Sequence, residues 1–85
     1  MRINWYDLNT EERKKLIEQQ ILGFEINKLS EDVSIKILKC FSTYQVTKLF
    51  PTNYRVIVES NTNVAFAKNL VDAVCIAALK AKGYY

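Results

Sequence analysis

The chain has 85 residues, 49% of them hydrophobic and 25% charged, with a formal net charge of +3 and no histidine. That length makes one domain, residues 1–85, and the composition is that of an ordinary folded chain rather than a disordered one. Charge this mild, interspersed along the sequence, excludes a strong nucleic-acid or membrane footprint, and the missing histidine removes the commonest general base, the commonest metal ligand and every histidine-dependent triad.

Met1 to Leu8 contains no apolar signal-peptide core, and no apolar run approaches the length of a membrane span, so a cytoplasmic location is the expectation. Asn9-Thr10-Glu11-Glu12 is a helix start. Asn9 can cap the third helical amide while Glu12 reaches back to the amide of Asn9. Leu16, Ile17 and Ile21 form a buried arc, and Gly23 is a left-handed terminator for a helix over about Thr10 to Leu22.

Phe24-Glu25-Ile26-Asn27 alternates as a short strand, and Ser30-Glu31-Asp32 reads as a turn. Val33, Ile35 and Ile37 alternate with Ser34 and Lys36, which favours a half-buried strand through about Lys39; a helix over Ser34 to Cys40 is the competing reading. Phe41 to Val46 reads as a short helix capped by Ser42 or Thr43 and closed before Pro51. Tyr54 to Glu59 is the clearest strand, rich in β-branched residues. Asn61-Thr62-Asn63 supplies a turn, Val64 to Ala67 pairs back as a hairpin, and Asn69 caps a final helix over Leu70–Lys82. The expected fold is α+β, a small α/β/α sandwich in the order α-β-β-α-β-β-α with a mostly antiparallel sheet.

Four blocks together resemble the small phage and prophage proteins of the "ABA sandwich" family: Thr10 to Gly23-Phe24, Phe41-Ser42-Thr43, Tyr54 to Glu59, and Ala73-Val74-Cys75-Ile76-Ala77-Ala78-Leu79-Lys80-Ala81. The resemblance implies a helix–sheet–helix arrangement, a phage origin and a cytoplasmic setting in an infected or lysogenic bacterial host. It implies no established activity. Two departures stand out: the acidic residue that follows Ser-Thr in the family is Tyr44 here, and Pro51 shortens the middle helix.

The chemistry available favours binding over catalysis. Gly23 and Gly83 are the only glycines, so there is no phosphate loop, and Cys40 and Cys75 have no metal-ligand spacing. No enzyme activity, catalytic residue, metal or cofactor is expected. Both cysteines are expected to be reduced and buried among apolar neighbours. Ser42 and Thr43 at a helix N-terminus, with Lys48 and Arg55, form a candidate anion site where Tyr44 or Tyr54 could stack on an attached base; Trp5, Tyr6, Tyr84 and Tyr85 add to the aromatic supply for stacking, or serve as core or interface anchors. Against this stands the reading of these residues as caps and a solvated strand face. On that basis the expected function is sequestration of a nucleotide-like bacterial immune signal, a counter-defence role. The alternative is a homo-oligomeric interaction module that inhibits or adapts a host protein.

Leu70 to Lys82 is apolar almost all the way round. Such a helix has neighbours on several sides, and a second copy of the chain could supply one of them. A homo-oligomer, most simply a two-fold dimer, is therefore expected, with Ala73, Cys75, Ile76 and Leu79 at or near the interface. A monomer in which the other helices cover everything is the competing reading.

Overall fold

The computed structural model describes residues 3–49 and 51–85; Met1 and Arg2 of the N-terminal stretch lie outside them. A single 3-10 turn, Trp5–Asp7, precedes helix α1, Thr10–Ile17, which continues as a π-helical turn over Glu18–Leu22. Helix α2 is Glu31–Leu38. Strands β1 (Tyr44–Leu49), β2 (Asn53–Val58) and β3 (Val64–Ala67) follow, and helix α3 is Leu70–Ala81. The sheet is antiparallel throughout in the order β1-β2-β3. The fold is α+β, but the order of major elements is ααβββα, not the four-stranded order expected.

The first helix begins and ends as its residues dictate. Asn9 accepts from the Glu12 amide at 2.8 Å and the Glu12 carboxylate accepts from the Asn9 amide at 2.9 Å, a complete capping box. Gly23, at φ 77°, closes the π turn in the left-handed region that glycine occupies without penalty.

Three local readings change. Phe24 to Asn27 forms bends and irregular chain, with no strand. Val33 to Lys39, expected to be a strand, is mostly helix: Ser30 caps the Val33 amide at 3.4 Å, and Glu31 and Asp32 occupy the first turn. Burial then falls on Val33, Ser34, Ile37 and Leu38, at helical spacing, leaving Ile35 about half exposed. The alternation of β-branched residues was outweighed by the cap and by the helical stripe. Phe41-Ser42-Thr43 leads into strand β1, not into the middle helix that the family resemblance implied. Tyr44, Val46 and Thr47 suit a strand. Pro51 serves as a turn residue between β1 and β2.

Helix α3 packs against β2, β3 and α2. Every residue from Ala73 to Leu79 is buried, and Trp5, Ile17, Ile37, Val56 and Val58 join the same core. The all-round apolar helix is thus satisfied within one chain. Ala73, Cys75, Ile76 and Leu79, expected at an interface between copies, are core residues instead, so their apolarity no longer calls for a second copy. Cys75 is buried as expected, whereas Cys40 is exposed, just past the end of α2, with its Sγ 3.4 Å from the Lys36 carbonyl it donates to.

The sheet has a covered face and an open one. Register places Tyr54, Val56 and Val58 of β2 in rows with Ala65 and Ala67 of β3, and all of these except half-buried Tyr54 are buried under α3. The alternate residues Arg55, Ile57, Val64 and Phe66 point the other way, and Phe66 is 60% exposed. Among the described residues no helix covers that second face, so the molecule is helices on one side of a sheet and not a helix–sheet–helix sandwich.

Candidate binding surface

The residues expected to hold an anion are separated by the pleat of the sheet. Lys48 pairs with Tyr54 across β1 and β2, and its Nζ stands 5.9 Å from the centre of the Tyr54 ring. Both belong to the helix-bearing face. Arg55, the next residue along β2, belongs to the open face, opposite Thr47 and Phe66. Lys48 and Arg55 therefore cannot close on one ligand. Ser42 is exposed in the bend before β1, and Thr43 Oγ1 donates to the Glu59 carbonyl at 3.4 Å. With no helix starting there, these hydroxyls cap nothing. Thr43 and Tyr44 do line a hollow with Gln45, Ile57, Glu59 and Asn61, but at ≈ 190 Å³ it is smaller than the roughly 300–1,000 Å³ usual for small-molecule sites.

What the fold does bring together is the open face around Arg55. Its Nε is buried under neighbouring side chains and has no hydrogen-bond partner. Arg55 also has no ion pair among the described residues. A buried guanidinium N–H without an acceptor is costly, because its desolvation is not repaid until an acceptor arrives. Phe66 lies directly across from it on β3, and Thr47 directly across on β1. Ile57 pairs with Val64 in the next row. A cationic group in an apolar setting, on an uncovered strand face, is the chief chemical feature of this surface.

The same face leads into a cleft of ≈ 450 Å³ lined by Tyr6, Asn53, Phe66, Lys68, Asn69 and Asp72. Its two aromatic residues, Tyr6 and Phe66, are 56% and 60% exposed, the most exposed large apolar side chains among the described residues. Tyr6 arrives there because the neighbouring Trp5 is anchored: its Nε1 donates to Asp72 at 2.9 Å and its amide to the Tyr85 hydroxyl at 2.8 Å. Arg13 braces the turn, donating Nε to the Trp5 carbonyl at 3.0 Å with its guanidinium 5.1 Å from the indole centre. Asp72 is meanwhile committed, accepting from Asn69 Nδ2 at 3.0 Å and lying 3.9 Å from Arg13. Sequence reasoning missed this cleft, since nothing local links residues 5 and 6 to position 72.

A larger hollow of ≈ 660 Å³ runs along the segment before α2, between Phe24, Ile26, Lys28, Val33 and Lys36. No cluster of histidine, cysteine, aspartate or glutamate among the described residues could hold a metal ion. No helix among them is long and apolar enough to cross a membrane.

Compared with family models, curated proteins and solved structures, the chain matches none.

Proposed function

We propose that this protein is a non-catalytic interaction module that docks a partner protein on its open sheet face. The observation that carries this reading is the pairing of Phe66, 60% exposed, with Arg55, whose buried Nε lacks an acceptor. An exposed aromatic residue beside an arginine with a buried, unpaired N–H is a combination suited to an interface hot spot. A partner carboxylate or main-chain carbonyl would complete Arg55, while Phe66 and Ile57 supply apolar area around it. The inhibition or adaptation of a host protein would be such an activity.

A photo-crosslinking amino acid at position 66 tests this in the native host, with position 35 on α2, about half exposed, as the control. The expected result is one discrete adduct at 66, absent at 35 and lost when Arg55→Glu is added. No adduct at 66, or the same adducts at both positions, overturns it.

A second reading rests on the cleft. Two exposed aromatic walls with the side-chain amide of Asn53 suit a planar, hydrogen-bonding group such as a nucleobase. Sequestration of a nucleotide-like signal would then use Tyr6 and Phe66, not the dispersed Ser42–Arg55 set. A thermal-shift screen against linear and cyclic nucleotides separates the two readings, because a ligand at a hundred times its dissociation constant adds about 2.7 kcal/mol of stability. A shift abolished by Tyr6→Ala supports the cleft.

A further inference from the structure

The two edges of the sheet are not equivalent. On β3 the outward carbonyl of Val64 accepts from Lys80 Nζ at 2.7 Å, and the strand is only four residues long. A short edge carrying a lysine contact is protected against pairing. On β1 the edge is six residues long, has no proline or bulge, and carries a single charged side chain, Lys48.

The hydrogen-bond phase shows which groups that edge presents. Glu59 donates its amide to the Thr43 carbonyl at 2.9 Å, and Val58 donates to Asn63 at 3.1 Å. Bonded and non-bonded pairs alternate along an antiparallel ladder. Gln45, Thr47 and Leu49 therefore bond to β2, whereas Tyr44, Val46 and Lys48 turn their amides and carbonyls outward. The side chains of Tyr44 and Val46 are 48% and 40% exposed on the helix-bearing face, beyond the strands that α3 covers.

We propose that β1 pairs antiparallel with β1 of a second copy of this chain, about a two-fold axis at Val46, to form one continuous six-stranded sheet. Of the registers open to the three outward residues, only this one uses all of them: Val46 faces Val46 of the partner and Tyr44 faces Lys48 in both directions. The three outward residues of each copy give six main-chain hydrogen bonds. Side chains agree with the same register. Val56 and Val46 extend into one valine row across both copies. Each Lys48, already beside its own Tyr54, gains the second copy's Tyr44 on its other side, so the only charge on the edge meets a ring and not its own copy. On the opposite face Gln45 meets Thr47, a pair that can hydrogen-bond. The strand is its own complement, which is why a second copy and not an unrelated peptide is the occupant. This interface is distinct from the buried α3 residues and does not depend on the open face binding a partner.

Amide hydrogen exchange on the unmodified chain, from low micromolar to submillimolar concentration, tests the proposal alongside sedimentation equilibrium. Gln45 and Thr47, bonded to β2, should be protected throughout, whereas Tyr44, Val46 and Lys48 should gain protection as the mass moves from monomer to dimer. In a Cys40→Ser background, Val46→Cys should form a disulfide-linked dimer under mild oxidation, and Val46→Lys, which places like charges on the axis, should be a folded monomer. A monomer mass at every concentration with free exchange at residues 44, 46 and 48 overturns the proposal. So does a dimer whose added protection falls elsewhere, or protection of these amides only when a different protein is present. The exchange measurement decides the matter even where Val46→Lys does not fold.

Discussion

The indole nitrogen of Trp5 and the carboxylate of Asp72 meet at 2.9 Å, joining positions 67 residues apart at the first turn of α3. Trp5 is fully buried, and the bond fixes the N-terminal segment against the central helix. Trp5→Phe removes the bond but keeps the ring, and should cost about 1.5–3 kcal/mol, the range for a hydrogen bond to a charged group. Trp5→Ala adds a cavity and should cost about 3–5 kcal/mol, a large fraction of the stability of so small a domain. Urea unfolding followed by circular dichroism measures both, because the variants lack the chain's single tryptophan.

The two thiols should behave differently. Cys40 is exposed, so a bulky maleimide should label it in the native protein. Burial, and then the Asp72 carboxylate, push the Cys75 thiol far above the ordinary thiol range, which leaves almost no thiolate to react. Cys75 should be labelled only on unfolding. Native mass spectrometry after brief labelling should show a single adduct, at Cys40.

Alanines in α3 are there for close approach. Ala77 is fully buried, in a helix that packs against both the sheet and α2. Ala77→Leu should overfill that space and cost about 1–3 kcal/mol despite its apolar character and good helix propensity. An unchanged denaturation midpoint would mean the layers are less closely packed than the burial implies.

Glu59 has a positive φ of 65°, the only non-glycine residue to do so among those described. The left-handed region costs an L-residue roughly 1–2 kcal/mol, partly offset on replacement by the greater freedom of unfolded glycine. Glu59→Gly should therefore be neutral to stabilising by about 1 kcal/mol, read as a small rise in Tm. The turn itself is held elsewhere, by Asn63 Nδ2 donating to the Val58 carbonyl at 3.0 Å.

Signals carried by a few adjacent residues proved reliable in this sequence. Asn9 and Asn69 cap as their spacing requires, and Tyr54 to Ile57 pairs with Val64 to Ala67. Failures occurred where two local patterns competed. Val33, Ile35 and Ile37 satisfy a strand alternation, yet Val33 and Ile37 also lie one helical turn apart, and tertiary burial on α3 decided between them. Phe41-Ser42-Thr43 carries a cap-like sequence, but the residues after it are β-branched and aromatic and find a partner in β2. Arg55 was recognised as a candidate, but the anion site built around it was not formed. Its supposed companions Lys48 on β1 and Tyr54 on β2 lie on the opposite face, and its actual companion Phe66 comes from β3. Neither the cleft at Tyr6 nor the covering of α3 within one chain could be read locally, because both depend on contacts between distant segments.

The placement of α3 bears on how the chain is made. It follows α2, β2 and β3 in the chain, and it is also the layer on which all three rest. Until Leu70 to Ala81 has left the ribosome, the preceding strands and helices have no common surface on which to bury their apolar faces. The hairpins and the capped first helix can form in the nascent chain, but the cooperative core must wait for α3. Ribosome-stalled chains truncated before residue 70 should consequently be digested rapidly by protease, and resistance should appear in one step once α3 is exposed, not in increments as each strand emerges.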